Sequence, residues 1–348
     1  MRTFKINTSR FRRKLFRRTT ATLFGLCAVV VLAACGGDSE DDVLTVYSGR
    51  SESLIGPIVD QFIRETGIAV GMKYGSTSEL AATILEEGDK TPADIFFAQD
   101  PAGLGSVESE FAFLDDDISS SVPDWARPPN GKWVGISGRA RTVIYNTDAL
   151  DEDDLPDGLE GFLDREWSGR MGWAPTNGSF QAMVTAMRHV WGEARARSWL
   201  EGIQANNPKV YPKNTPIVVA VGSGEISVGF VNHYYIHRFL AEEGTSFKAR
   251  NYYPRGGGPG SIMLVAGVGI LDASNNKDLA TKFVRFLLST QAQQYFSRET
   301  FEHPLVEGIV PARGLLSIEH VSASNIDLSD LDDLVETQNM LRAVGVIP

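Results

Sequence analysis

The residues with the clearest potential for chemistry are two adjacent tyrosines, Tyr234 and Tyr235, within residues 231–239. On a strand, neighbouring side chains face opposite ways, whereas at the start of a helix they lie about 100° apart and can line one cleft. The apolar spacing that follows the pair predicts a helix here, with Asn232 as its N-terminal cap.

Ionised tyrosines are hard, anionic oxygen ligands, suited to a small and highly charged ion such as Fe(III). A helix N-terminus favours the phenolate, and a directly bound cation lowers the phenol pKa from its ordinary value of about 10. Tyrosine pairs also occur as core or rim residues, and the chain has a second pair at Tyr252-Tyr253. From spacing alone both interpretations stay open.

Two histidines flank the pair, His233 and His237, four residues apart on the predicted helix. A zinc site would need at least one more strong ligand, and none is suitably spaced. We therefore expect surface histidines. The sequence contains no nucleophile-elbow G-x-S-x-G, phosphate-loop lysine motif or metalloprotease H-E-x-x-H.

The elements that must position these residues alternate between strand and helix patterns. Strands are predicted at 43–49, 68–74 and 93–98, separated by helices at 54–65 and 78–87. This order is typical of a parallel α/β sheet. Further on, we predict two strands around Gly138 within 133–146, a long strand at 262–271, and helices at 180–191, 193–204, 278–288, 290–298 and within 328–344. Residues 217–222 and 226–230 fit either helix or strand.

The N-terminus has the layout of an export signal. Residues 1–18 carry eight basic residues and no acidic one, and the apolar stretch 21–34 ends in Leu32-Ala33-Ala34 before Cys35. The stretch is shorter than the about 20 residues of a membrane-spanning helix. We predict a lipoprotein signal peptide over 1–34, an acylated Cys35, and a disordered tether through residue 42. A plain secretory signal with an incidental cysteine is the alternative.

Composition limits the partners of the remaining chain. Of the 33 basic residues eight leave with the leader, so 25 stand against 44 acidic residues, a formal net charge of −19. Such a surface argues against nucleic acid or an anionic membrane as partner. The only cysteines are Cys27 and Cys35, so no disulfide is expected. The remaining 314 residues suffice for two domains, and without a linker we expect the chain to cross between them more than once.

Six segments in a fixed order carry a resemblance that covers essentially all of 43–348. They are residues 44–49, 86–96, 133–145, 167–172, 211–214 and 232–235. Together they resemble the ferric-ion-binding proteins of bacterial iron uptake, a transferrin-like branch of the periplasmic binding proteins. The resemblance implies a type II-like, two-lobed α/β fold. Each lobe has a mixed, mainly parallel sheet flanked by helices, and crossing hinge strands near 138–145 and 262–271 join the lobes. The expected lobes are 43–138 plus 263–310, and 139–262 plus 311–348.

Carried over position by position, the resemblance places Tyr234 and Tyr235 on the family's two iron-binding tyrosines. Where the family often has a histidine ligand in its first strand-to-helix turn, this chain has Ser51. Where many members have a glutamate ligand, it has Gln99, followed by Asp100, which could be a carboxylate ligand or only a loop or cap residue. A third tyrosine of some members is replaced by Phe180.

Charge counting calls for an additional anion. Fe(III) with two phenolates keeps one positive charge and about four open positions in a six-coordinate site, which carbonate or phosphate could fill. The resemblance places an anion site at Asn177, Gly178 and Ser179, with Asn214 and Asn232 nearby. The first three lead into a helix, where backbone N–H groups favour anions, and Arg139 or Arg141 could add a bidentate clamp. A surface or interlobe salt bridge is the alternative for Arg139.

The resemblance implies a non-enzymatic, monomeric substrate-binding component of an ABC importer outside the cytoplasm. It would capture ferric iron between the lobes and pass it to an inner-membrane permease and its ATPase, with only a lipid anchor in the membrane. Because two ligand positions are altered, binding of a small anion or organic solute without iron is the alternative. A secreted hydrolase using Asp94 or Asp100 as base lacks an identifiable nucleophile, and a structural lipoprotein is a further alternative.

Overall fold

The computed structural model describes residues 43–256, 258–315, 318–321, 331 and 333–348. The predicted signal peptide, Cys35 and the tether lie outside these residues. The strands are β1 Val43–Ser48, β2 Ala69–Tyr74, β3 Ile95–Ala98, β4 Val134–Asn146, β5 Met171–Trp173, β6 Lys209–Val210, β7 Val228–Asn232, β8 Ala249–Tyr252, β9 Met263–Ile270 and β10 His303–Pro304. The α-helices are α1 Glu52–Thr66, α2 Thr77–Glu87, α3 Pro101–Gly105, α4 Asp116–Ser119, α5 Gly178–Trp191, α6 Glu193–Ala205, α7 Asn214–Gly222, α8 Tyr235–Glu243, α9 Lys277–Leu287, α10 Thr290–Arg298, α11 Ile318–Val321 and α12 Leu334–Val344.

The strands form a mixed sheet flanked by helices, in the order β2-β1-β3-β9-β4-β7-β5-β6, with β8 and β10 also paired to β4. The first three strands of the chain are mutually parallel, as their alternation with helices predicts. Strand β9 runs antiparallel to both β3 and β4. The two-lobed α/β architecture expected from the sequence is therefore the one observed.

Strand β4 belongs to both halves of the sheet. Its residues 134–140 pair with β9, and its residues 141–146 pair with β7 and β8. The prediction of two strands around Gly138 is wrong, because this is one buried strand of 13 residues. Gly138 lets strand β10 come close to β4 and does not start a turn. A Cβ at this position would lie 3.2 Å from the Cβ of His303 on β10.

The apolar core divides along the same line. One large cluster draws mainly on residues 44–136 and 262–305, with Ala182 and Ala186 of helix α5 and Leu331, and two further clusters draw on 143–252 with Met340 and Leu341. A small fourth cluster joins Ala140, Met263 and Val321. The chain thus returns to its first core after building the second. This division supports the predicted lobes, whose boundaries stay a prediction.

Other predicted elements differ in detail. The ambiguous segment 217–222 lies in helix α7, and 226–230 leads into strand β7. The final helix begins at Leu334; most of the predicted residues before it lie outside the described residues. Within the described part of the chain, no helix has both the length and the apolar character needed to cross a membrane.

Candidate metal and anion site

The two tyrosines lie where strand β7 passes into helix α8. Their rings are stacked, with centroids 4.3 Å apart and an angle of 27° between the planes. Tyr234 is 8% exposed, and Tyr235 is partly buried. Asn232 does not cap the helix, contrary to prediction. It is the last residue of β7, and its Oδ1 accepts a hydrogen bond of 2.9 Å from Nη1 of Arg141.

The surroundings of Tyr235 keep its phenol protonated in the absence of a cation. Burial raises the pKa of Tyr235 most, and the neighbouring Tyr234 adds to the increase. The Asn214 amide and the Arg139 guanidinium act in the opposite direction. A cation that binds the pair must therefore displace the Tyr235 proton.

Two buried arginines from strand β4 lie close to the tyrosines. Arg139 and Arg141 are two residues apart, so both side chains leave the same face of the strand, and both are fully buried. Among the described residues, the three guanidinium nitrogens of Arg139 and both Nε and Nη2 of Arg141 have no hydrogen-bond partner. Burial, with a smaller effect of Arg139, lowers the pKa of Arg141 to about 9, against the opposing effect of the two tyrosines. Even so, Arg141 stays charged at neutral pH.

Two buried asparagine side chains also have amide atoms without a hydrogen-bond partner in the described chain. Asn214, the first residue of α7, is fully buried, and neither its Oδ1 nor its Nδ2 has a hydrogen-bond partner of ordinary geometry in the described chain. Nδ2 of Asn232 also lacks a partner there. Buried polar atoms are nearly always hydrogen-bonded. A cluster of unmatched donors around two guanidinium groups has the chemistry of an oxyanion site.

The other predicted anion residues begin helix α5. Oδ1 of Asn177 accepts hydrogen bonds from the N–H of Ser179, at 3.2 Å, and from its hydroxyl, at 2.6 Å. Both side chains therefore take part in the N-terminal cap of helix α5. Gly178 lies between them, and a Cβ there would be 3.7 Å from Oδ2 of Asp100. The start of α5 thus faces residues that follow strand β3.

Asp100 also caps a helix, since its Oδ1 accepts a hydrogen bond of 2.9 Å from Gly103 at the start of α3. Burial raises the pKa of Asp100, against the effects of that hydrogen bond and of Arg139. Gln99 is half-buried and its backbone donates to Oγ1 of Thr77. The Asp100 carboxylate therefore keeps one oxygen, Oδ2, on the side that faces α5.

The remaining predicted positions contribute less. Ser51 is exposed at the start of α1, and its hydroxyl lies 3.2 Å from that of Ser53. Phe180 is fully buried, with its ring edge-on to Trp173 at 5.7 Å. The position that the resemblance assigned to a third tyrosine is therefore an apolar core residue in this chain.

Sequence reasoning missed a third buried arginine. Arg50 forms a fully buried ion pair with Glu302, whose Oε2 accepts a hydrogen bond of 2.7 Å from Ser137. Burial opposes the charge of Arg50, but Glu302 and the two site tyrosines, Tyr234 first, outweigh burial and raise the pKa of Arg50. The partners are 252 residues apart, so no local pattern in the sequence could have paired them.

The prediction of surface histidines is also wrong. His233 is fully buried and His237 is partly buried, because the segment before β10 packs over both. Burial lowers the pKa of His233 well below its ordinary value. In the described residues, no three His, Cys, Asp or Glu side chains are grouped to hold a metal.

Comparisons with known proteins identify the family to which this chain belongs. Residues 57–313 match the family of bacterial extracellular solute-binding proteins. The major ferric iron-binding protein of Neisseria meningitidis is 32% identical over 334 residues, which cover 94% of this chain and 99% of that protein. The Fe(3+)-binding periplasmic protein of Serratia marcescens is 29% identical, over 88% and 91% of the two chains. The crystal structure of iron-bound HitA from Pseudomonas aeruginosa superimposes with a TM-score of 0.82 at 31% identity, and covers 87% of this chain and 99% of that chain. This chain therefore belongs to the bacterial extracellular solute-binding proteins, in the group that contains the ferric-iron-binding proteins of bacterial iron uptake.

Proposed function

We propose that this protein captures ferric iron outside the cytoplasmic membrane, with Tyr234 and Tyr235 as phenolate ligands and an oxyanion as a further ligand. The observation that carries the proposal is the stacked tyrosine pair beside buried guanidinium groups whose donors have no described partner. The relatives named above support the choice of cargo, because their names state ferric iron.

Charge balance argues for the oxyanion. Fe(III) with two phenolates keeps one positive charge, Arg139 and Arg141 each add one, and an ionised Asp100 removes one, which leaves an excess of two positive charges. Arg50 is compensated by Glu302, so it leaves this balance unchanged. Burying an excess of positive charge is costly unless an anion neutralises it. Carbonate or phosphate supplies negative charge, oxygen ligands for the metal and acceptors for the guanidinium donors.

The other predicted ligands have defined places in this proposal. Asp100 approaches the start of α5 from the β3 side, so its Oδ2 can close the site from the opposite lobe. Gln99 and Ser51 lie on the same lobe as Asp100, and we infer that they line the opening of the cleft. When the cleft closes, ligands from both lobes would contact the metal. Iron binding would thus shift the population from open to closed molecules.

Delivery follows from the location proposed for the protein. We infer that Cys35 carries the lipid anchor, which keeps the binding protein near an inner-membrane permease and its ATPase. Replacing Cys35 with serine should release the protein from the membrane fraction without changing its iron affinity. A C35S protein that stays in the membrane fraction would contradict the anchor.

The test of the iron site is the visible spectrum and metal content of protein loaded with ferric iron, with and without bicarbonate or phosphate. Fe(III)–phenolate coordination gives a charge-transfer band, and the double variant Tyr234→Phe/Tyr235→Phe should lose both band and bound iron. The chain offers a matched control in its other tyrosine pair. Tyr252→Phe/Tyr253→Phe should keep the band, since Tyr252 donates instead to the carbonyl of Pro156. Iron binding that survives the first double variant would refute the tyrosine site.

A second candidate function is binding of an oxyanion without iron. It is favoured by the unmatched donors of Arg139, Arg141 and Asn214, which exist whether or not a metal is bound. Phosphate binding by calorimetry, with no colour and no affinity for ferric iron in the wild-type protein, would select this function over the first.

A further inference from the structure

Phe301 adopts an unusual backbone conformation just before strand β10. Among the described residues two non-glycine residues have a positive φ, Asn207 at 51° and Phe301 at 56°. Asparagine tolerates the left-handed region, whereas a bulky residue there is a genuine outlier that the surrounding structure must hold in place. Such outliers cluster at functional sites.

The contacts of Phe301 converge on the turn that carries the tyrosine pair. Its carbonyl oxygen lies 2.8 Å from Nε2 of His233, and its ring stacks on that of His237 with centroids 4.7 Å apart and planes 11° apart. His233 directly precedes Tyr234, and His237 follows Tyr235 by two residues. One residue therefore contacts both flanks of the pair.

His233 is fixed at every polar atom. Its N–H donates to the carbonyl of Ala140 at 3.0 Å, and its carbonyl accepts from Nδ2 of Asn251 at 2.8 Å. Its Nδ1 lies 3.1 Å from the N–H of Ala140. A backbone N–H can only donate, so Nδ1 is an acceptor and the proton must be on Nε2, which donates to Phe301. His233 is thus a neutral, single-tautomer residue.

Phe301 also belongs to the opposite half of the molecule. The strand that follows it, β10, pairs with Ser137 and Gly138 of β4, and Leu305 lies in the core formed by 44–136 and 262–305. The hydrogen bond from His233 to Phe301 therefore ties the tyrosine-bearing turn to the other lobe. The adjacent Glu302 forms the ion pair with Arg50 on that lobe.

We propose that Phe301 is a positioning residue for the tyrosine pair, and this proposal rests on the proposed iron function. Its left-handed conformation turns the carbonyl towards His233 and the ring towards His237. Together these contacts hold both flanks of the turn and orient the two phenol oxygens before metal arrives. Residues that orient metal ligands in this way typically change metal affinity by about 10- to 100-fold when replaced.

The test compares Phe301→Gly with Asn207→Gly. Each replaces a non-glycine residue of positive φ by glycine, but Asn207 is exposed just after the end of α6. In iron-free protein labelled with ¹⁵N-histidine, NMR should show a slowly exchanging Nε2–H of His233 in the wild type and in N207G. In F301G its exchange should become faster. With ferric iron and phosphate, F301G should release iron to a chelator about 10- to 100-fold faster and shift the charge-transfer band, while N207G matches the wild type.

Two further variants keep the test decisive. Phe301→Tyr retains the ring and should restore wild-type iron release. Phe301→Asn tolerates the left-handed backbone and lacks the ring, so it replaces F301G if that variant does not fold, with the same expected direction.

The outcomes separate this proposal from the iron function. An unchanged His233 exchange rate in F301G and F301N would overturn the positioning role whether or not iron binds. Faster exchange with unchanged band and release rate would also overturn it, because Phe301 would then serve stability alone. A wild-type protein that forms no iron-dependent band would refute the proposed function, while the NMR comparison still decides whether Phe301 holds the turn.

Discussion

Arg139→Met should stabilise the iron-free protein and at the same time remove its response to phosphate. Arg139 is fully buried, and its three guanidinium nitrogens have no hydrogen-bond partner in the described chain. A buried charge without hydrogen bonds destabilises the folded state. Replacing a whole buried ion pair or triad with apolar residues of similar volume often stabilises a protein by about 1–4 kcal/mol, and Arg139 lacks the hydrogen-bonded partner that such a pair would have. We expect a gain in the free energy of unfolding within that range, in buffer without oxyanions.

The second half of the prediction concerns the ligand. An oxyanion that accepts hydrogen bonds from Arg139 and Arg141 binds only the folded state. At one hundred times its dissociation constant it would stabilise the protein by about 2.7 kcal/mol. Urea unfolding followed by far-UV circular dichroism, with and without phosphate, measures both effects. The wild type should respond to phosphate, and R139M should respond little.

Arg188→Met is the matched control. Arg188 is also buried, but its guanidinium donates to Glu193, to Thr337 and to both the carbonyl and the carboxylate of Asp333. Its removal should cost about 1.5–3 kcal/mol, the usual range for hydrogen bonds to charged groups, and leave the phosphate response intact. An R139M protein that is less stable than the wild type in oxyanion-free buffer would refute the reasoning, as would an undiminished phosphate response.

Three further predictions follow from the described contacts. Burial raises the pKa of Tyr235, so its proton must leave when iron binds. Iron affinity measured by chelator competition should therefore rise with pH near neutrality, by about one logarithmic unit per pH unit for each proton displaced, and Tyr235→Phe should make that slope shallower. Glu302→Gln leaves the buried Arg50 without a counter-charge and should lower the free energy of unfolding by about 3 kcal/mol, and an unchanged urea midpoint would contradict this. Gly229→Ala places a Cβ about 2.2 Å from Cγ2 of Ile217 and should lower the free energy of unfolding by about 1–3 kcal/mol through overpacking. The same substitution made in an Ile217→Ala protein should lower it much less.

The fold was predictable because its first part follows local rules. Strand β1 is a short β-branched run that ends in a turn signal, helix α1 has its apolar residues at helical spacing, and Gly67 ends the helix in the left-handed conformation that glycine adopts without strain. Gly138 misled the prediction, since a glycine that admits another strand and a glycine that starts a turn look the same in sequence. Close approach is a tertiary property.

The candidate site was predictable only where resemblance supplied the positions. Local spacing suggested that Tyr234 and Tyr235 start a helix, but it misassigned Asn232 as the cap, because the partner of that amide, Arg141, comes 91 residues earlier. The burial of His233 depends on Phe301, which lies 68 residues later. Such pairs are formed by the topology of the sheet, and no periodic pattern contains them.

Because strand β4 crosses between the lobes, an oxyanion bound to its arginines should also make the connection between the lobes more rigid. Arg139 extends from the part of the strand that pairs with β9, and Arg141 from the part that pairs with β7. An anion held by both guanidinium groups spans the point where the strand passes from one lobe to the other. We expect the bound anion to make this crossing point of strand β4 more rigid before any metal binds. The anion should therefore bind first and the iron second. Iron uptake measured by stopped flow should then be faster in protein equilibrated with phosphate than in protein that meets both together, and equal rates would exclude this order.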